Sequence, residues 1–127
     1  MSLSDYVSTL ARQIEEYSKT GLIISSEIRT DFRTEKIGLI NGTLIFIDES
    51  KLFFTEYVDT RYKVEKLTYS YHYQDTGGQL IFRYDNASHK PALNPTEHKH
   101  VKERILRSNI PELQEILEGI LGALSGC

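Results

Sequence analysis

Residues 67–85 read LTYSYHYQDTGGQLIFRYD. The segments on either side of the central DTGG alternate between apolar and polar side chains, which is the period-two pattern of half-buried β-strands. Glycine supplies the positive φ angles of tight turns, and Asp makes local turns with its side chain. The stretch therefore predicts an antiparallel hairpin that turns at residues 76–79.

Strand alternation places the aromatic side chains of this hairpin on one face. With an even loop, Tyr73 is expected to face Phe82, and Tyr71 is expected to face Tyr84. The two pairs form an aromatic ladder suited to packing under a helix.

The polar side chains of the hairpin are expected to meet on the opposite face. With the same loop, His72 lies opposite Arg83, and Ser70 lies opposite Asp85. A bulge that shifts the register by one residue would separate these pairs, so the prediction depends on the type of turn.

Period-two patterning continues upstream of the hairpin. It predicts five strands with short connections, at about 22–33, 36–48, 51–60, 63–75 and 79–86. Short connections between successive strands indicate an antiparallel meander. We interpret Asn41-Gly42 as a bulge inside one long strand, although a hairpin there is the alternative.

Amphipathic helices are predicted on both sides of the sheet segment, over residues 4–19 and 109–125. Apolar residues recur at helical spacing in the first, and Gly21 follows as a stop signal. Asn109 and Glu112 resemble a capping box, with Pro111 in the first turn of the second. The apolar stripe of this second helix predicts core packing, and a homodimer or partner-protein interface is the alternative.

Together these elements predict an α+β fold and a single domain over residues 1–127. The sheet is an antiparallel five- to six-stranded meander over residues 22–86, with the N- and C-terminal helices packed on its aromatic face. Residues 87–107 are expected to form a basic, His-rich loop, within which residues 101–106 are the candidate sixth strand.

The composition is that of an ordinary soluble domain, with 39% hydrophobic and 26% charged residues. The single cysteine is Cys127, which excludes an intrachain disulfide and fits a reducing compartment. The sequence shows no signal peptide and no apolar run of membrane-spanning length. We therefore expect a cytoplasmic protein with no membrane association.

Charge is distributed unevenly along the chain. The net charge is −3, yet residues 83–107 hold six basic residues against three acidic ones. This window carries +3 and the remainder −6, and all four histidines lie between positions 72 and 100. A phosphate-bearing or acidic partner is the expected counterpart of the window.

These residue types can perform phosphoryl chemistry without a metal or other cofactor. Cleavage of RNA through its 2′-hydroxyl needs a base, a cation for the phosphorane charge and an acid for the leaving oxygen. Histidine suits the proton transfers, and the planar fork of arginine matches two phosphate oxygens. The predicted catalytic residues are His72, Arg83, Asp85, His98 and His100. The predicted substrate-binding residues are Tyr71, Tyr84, His89, Lys99, Lys102 and Arg104.

Two alternatives stay open at this point. Arg83 and Asp85 can instead form a solvated surface pair of little energetic value. His98 and His100, with Asp85 or His89, can instead hold Zn²⁺, although neighbouring lysines oppose a bound cation.

Three segments carry a family resemblance: Tyr69-Ser70-Tyr71-His72-Tyr73-Gln74, Leu80 to Ala87, and His98-Lys99-His100. Together they resemble the TumE family of small prokaryotic toxin–antitoxin proteins, and the likeness covers roughly residues 40–120. Where that family has Asn-Ala-Pro-His-His-Pro and Pro-His-His-Lys-His, this chain has NASHKP at 86–91 and TEHKH at 96–100. Two imidazoles of the family pattern are thus absent, which argues against a multi-histidine metal site.

The resemblance implies a toxin that is paired with a cognate antitoxin and acts on RNA. Combined with the chemistry above, it predicts a metal-independent endoribonuclease. The alternatives are a non-catalytic protein- or nucleic-acid-binding module of the same operon type and a divalent-metal-dependent nuclease.

Overall fold

The computed structural model describes residues 1–86, 98–101, 104–107 and 110–126, and at 98–101 and 104–107 it describes the backbone alone. Within these residues the chain forms a helix, seven antiparallel strands and a second helix. Their bounds are α1 Leu3–Ser18, β1 Ile23–Phe32, β2 Ile37–Phe46, β3 Lys51–Asp59, β4 Glu65–Gln74, β5 Leu80–Asp85, β6 His98–Val101, β7 Arg104–Arg107 and α2 Leu113–Leu124.

The strands pair in sequence order from β1 to β7, each antiparallel to the next. This confirms the predicted α+β meander, and the bounds of the first five strands lie within about two residues of those expected. The sheet has seven strands where the sequence predicts five or six.

The predicted loop at 87–107 is partly wrong, because residues 98–101 and 104–107 form a short hairpin. The rest of that loop lies outside the described residues. The segment His98-Lys99-His100 has little intrinsic preference for strands, so its pairing with β5 and β7 decides its conformation. The added hairpin brings histidine positions to the strand that carries Arg83.

Helix α1 matches its prediction closely. Ser2 and Asp5 form a reciprocal capping box at its start, and Gly21 takes a φ of 79° just after its end. Within the described part of the chain, no helix is both long enough and apolar enough to cross a membrane.

Helix α2 begins later than the sequence predicts. Its N-cap is Glu112, whose side chain makes no capping hydrogen bond. Pro111 therefore precedes the helix instead of lying in its first turn, and Asn109 lies outside the described residues. A tertiary contact is made at the same point, where Lys66 Nζ donates to the Pro111 carbonyl at 2.8 Å.

Both helices bury their apolar stripes against the same face of the sheet, which we call the covered face. Leu10 of α1, Phe54 and Tyr71 of the sheet and Leu117 of α2 belong to one buried cluster. The opposite side, called here the open face, carries His72 and Arg83.

The β4–β5 hairpin has the predicted register. Ser70 pairs with Asp85, Tyr71 with Tyr84, His72 with Arg83 and Tyr73 with Phe82. A register shift does occur, but it lies between Tyr73 and Gln74, at the turn end of the hairpin. All four predicted pairs therefore survive.

The predicted bulge at Asn41-Gly42 is wrong. β2 runs through both residues without a register shift, and the irregularity of this strand pair lies instead between Ile23 and Ser25 of β1. Gly42 is required for packing: a Cβ built there would lie 2.1 Å from Cε1 of Phe54, its register partner. The phenylalanine ring occupies the space that a side chain would need.

Gly42→Ala should lower the free energy of unfolding by about 1–3 kcal/mol, the usual cost of overpacking a core. The Phe54 ring is 2% exposed and stacks on Tyr71 with 6.2 Å between centroids, so it cannot turn away freely. Chemical denaturation measures the change. Gly119→Ala is the control, because open space surrounds Gly119 on α2 and alanine favours a helix. Equal stability of Gly42→Ala and wild type would refute this packing argument.

Candidate functional site

The candidate site starts with two strands of the open face. His72 on β4 and Arg83 on β5 are register partners, so their side chains project from the same side of the sheet. Both side chains are partly exposed. The pairing therefore puts an imidazole beside a guanidinium where a ligand has access to both.

His72 is held by a neighbour on its own strand. Its Nε2 lies 3.0 Å from Oε1 of Gln74, two residues along β4. A hydrogen bond to an amide oxygen needs a proton on Nε2, which leaves the Nδ1 lone pair of a neutral imidazole able to accept a proton. The ring also lies 6.1 Å from that of Phe53 on β3, at an interplanar angle of 57°.

Arg83 is anchored by a buried carboxylate. Its Nε donates to Asp85 Oδ2 at 2.8 Å, and the Asp85 side chain is 4% exposed while that of Arg83 is 41% exposed. The pair is therefore not the fully solvated surface pair considered as an alternative above, because the Asp85 side chain is withdrawn from water. The contact engages Nε, and the guanidinium has further donors on its terminal nitrogens that a ligand can use.

Strand β6 brings two predicted histidine positions to the same rows of the sheet. His100 is the register partner of Arg83, and His98 is that of Asp85. The positions of Phe53, His72, Arg83 and His100 thus follow one another across β3, β4, β5 and β6. We call these four positions the central row.

Other predicted site residues are placed less completely. Lys99 is the register partner of Tyr84, and Arg104 opens β7 opposite Val101. His89 and Lys102 lie outside the described residues.

The substrate-binding role predicted for Tyr71 and Tyr84 conflicts with the positions of both residues. Tyr71 is 0% exposed on the covered face, where its hydroxyl donates to Glu56. Tyr84 shares that face by register, and its ring packs 5.5 Å from that of Phe82. A strand places successive side chains on opposite faces, so neither hydroxyl lies beside His72.

Sequence reasoning missed a buried polar cluster on the covered face. Glu56 is 0% exposed and accepts hydrogen bonds from the hydroxyls of Tyr6 and Tyr71. Lys66 Nζ lies 3.5 Å from Glu56 Oε2 and 3.5 Å from Glu112 Oε2. The signal available was a carboxylate at an inward position of an alternating strand, which requires a partner.

This cluster joins four parts of the chain. Tyr6 comes from α1, Glu56 from β3, Lys66 and Tyr71 from β4, and Glu112 from the start of α2. Burial, and then the negative charge of Glu56, raises the pKa of both Tyr6 and Tyr71 far above the ordinary value. Both hydroxyls therefore remain protonated donors, and the cluster serves to dock the helices.

Asn86 controls how the chain leaves the sheet after Asp85. Its Oδ1 accepts from the Tyr69 backbone N–H at 3.0 Å, and its Nδ2 donates to the Leu67 carbonyl at 3.0 Å. The amide side chain thus continues the β4–β5 ladder in place of a backbone residue. This fixes the end of the strand that carries Arg83 and Asp85.

Among the described side chains, no group of three or more His, Cys, Asp or Glu residues is clustered so that it could hold a metal ion. The alternative Zn²⁺ site at His98 and His100 involves side chains that the structure does not describe.

Comparison with known proteins identifies the family. The family model described as Toxin TumE matches residues 10–125, nearly the whole chain. The chain therefore belongs to the TumE toxin family, and this membership supports a role as a toxin. Neither the curated proteins nor the solved structures include a significant match to it.

Proposed function

We propose that this protein is a toxin that cleaves RNA without a metal ion, with the central row as its active site. The observation that carries the proposal is the pairing of His72 with Arg83 on the open face, with the His100 position next in the row. The proposal further places the protein in the cytoplasm as a single-domain toxin, held inactive by a cognate antitoxin.

The reaction follows from the order of groups along the row. Nδ1 of His72 takes the proton of an RNA 2′-hydroxyl as O2′ attacks the adjacent phosphorus. Arg83 stabilises the charge on the phosphorane oxygens through its terminal nitrogens. A protonated imidazole from β6, at the position of His100, gives its proton to O5′ as the P–O5′ bond breaks. The products are a 2′,3′-cyclic phosphate and a 5′-hydroxyl end.

Asp85 is a positioning residue in this scheme. Its buried carboxylate holds Nε of Arg83, so the guanidinium keeps one orientation while phosphate approaches. Preorganised donors of this kind are effective because they need no reorganisation during the reaction.

Cleavage is expected to persist in excess EDTA and to leave 2′,3′-cyclic phosphate ends. The assay incubates purified protein with naked RNA and, separately, with a translating cell-free extract. End-group analysis then identifies the products. A 2′-deoxy substitution at a mapped cleavage site should block cutting there, because it removes the nucleophile.

Other outcomes would replace this proposal. Activity that disappears with EDTA and returns with a divalent cation would favour the metal-dependent nuclease. Intact RNA in both systems, together with tight binding of the antitoxin, would favour the non-catalytic binding module.

A further inference from the structure

We infer that Phe53 is the stacking surface for the RNA base on the 5′ side of the scissile phosphate. The inference rests on the proposed function, because it assigns the base that belongs to the attacking 2′-hydroxyl. Its evidence is the place of Phe53 in the central row and the exposure of its ring.

Phe32 and Phe53 are the two exposed aromatic residues of the described strands, and of the two only Phe53 lies in the central row. Its register partner on β4 is His72, and 38% of the residue is exposed on the open face. In contrast, Phe54, next to it in sequence, is 2% exposed in the core. An exposed ring on a sheet is the device by which several RNA-binding folds hold an unstacked base.

The spacing of the row matches the order of groups in one nucleotide. Neighbouring strands lie about 4.8 Å apart. A base on Phe53 at β3 therefore directs its sugar toward His72 at β4, one strand away, and its 3′-phosphate toward Arg83 at β5. The leaving O5′ of the next nucleotide then falls toward the His100 position on β6.

The charge nearest to Phe53 along its strand also favours an anionic ligand. Lys51 precedes Phe53 by two residues on the open face and is partly exposed. Three carboxylates on this side of the sheet form ion pairs with arginines. These pairs are Glu27 with Arg29, Asp59 with Arg61 and Asp85 with Arg83.

The occupant must be single-stranded, because the bases of a duplex are stacked on each other and paired. Stacking on an aromatic side chain tolerates any base, since every base has a π face. We therefore expect Phe53 to contribute affinity without strong sequence preference.

The test measures binding of a 2′-O-methyl decaadenylate, which lacks the free 2′-hydroxyl needed for cleavage. A second decamer has the same backbone and charge but no bases. Fluorescence anisotropy gives the Kd of each for wild type, Phe53→Tyr, Phe53→Leu and Phe53→Ala. Thermal unfolding checks that all variants fold, and Tyr62→Ala, which removes a ring that is 92% exposed in a loop, is the control.

Phe53→Ala and Phe53→Leu should bind the base-bearing decamer about 5- to 150-fold more weakly than wild type, while Phe53→Tyr and Tyr62→Ala retain affinity. All proteins should bind the abasic decamer equally. Wild-type affinity in Phe53→Leu, or equal losses on both decamers, would overturn the inference. Loss of antitoxin binding in Phe53→Leu, with RNA binding unchanged, would overturn it as well.

This experiment separates the two proposals because it does not depend on cleavage. Phe53-dependent binding by a protein that never cuts RNA would end the nuclease proposal and leave the base site standing. RNA cleavage by a protein whose RNA binding does not depend on Phe53 would end the base-site inference and leave the nuclease proposal standing.

Discussion

Replacing His72 with alanine is expected to lower the rate of RNA cleavage by about 10²–10⁴-fold, the usual contribution of a positioned general base or acid. On expression in cells, the variant should no longer inhibit growth. The physical reason is that, in the proposed mechanism, Nδ1 accepts the proton beside Arg83 while Nε2 is engaged by Gln74. Single-turnover cleavage and a growth assay measure the two effects.

The control for His72 is Thr68→Ala. Thr68 lies on the same strand and the same face, is exposed, and pairs with Tyr57 away from the central row. The Thr68→Ala variant should cleave RNA at the wild-type rate. If His72→Ala remains folded and toxic, the acid–base mechanism is refuted.

Arg83 needs a more conservative change than alanine. Removing its charge would break the ion pair with the buried Asp85 carboxylate, and loss of activity would then be confused with loss of folding. Arg83→Lys keeps a positive charge beside Asp85 but loses the planar fork. We expect it to fold and to cleave far more slowly than wild type.

Replacing Lys66 with methionine is expected to lower the free energy of unfolding by about 3–5 kcal/mol, the cost of breaking a buried ion pair. The change leaves the Glu56 charge buried without its ammonium partner. It also removes the donor to the Pro111 carbonyl, which holds the start of α2. Urea denaturation followed by circular dichroism measures the loss.

Two further variants serve as controls for Lys66→Met. Lys66→Met combined with Glu56→Gln should recover part of the stability, because glutamine removes the unpaired buried charge while its amide group can still hydrogen-bond to the hydroxyls of Tyr6 and Tyr71. Lys19→Met, which breaks a solvent-exposed pair with Glu16, should unfold at nearly the same urea concentration as wild type. Equal destabilisation by the two single lysine variants would contradict the buried-cluster interpretation.

The β4–β5 register was predictable because short-range information specifies it. The alternation around Tyr71 and His72 identifies the two faces, and the Gly-containing turn limits the pairing to a few registers. Since register partners share a face, the same information predicts His72 beside Arg83.

The position of β6 was not predictable in the same way. His98-Lys99-His100 has no strong strand preference, and about a dozen residues separate it from Asp85. Pairing with β5 on one side and β7 on the other makes it a strand, so its register against Arg83 is a tertiary result. The start of α2 is similar, because Lys66 and Pro111 meet across 45 residues of sequence.

The sequence alone determined the order of elements, the two faces of the central hairpin and the family. These properties depend on periodicity, turn chemistry and local motifs, which act over a few residues. The tertiary structure decided which polar side chains are buried, and it placed Tyr71 and Glu56 in the core and Asp85 beneath Arg83. Burial is a property of the whole packed chain, because a side chain is withdrawn from water only by residues that are distant in sequence.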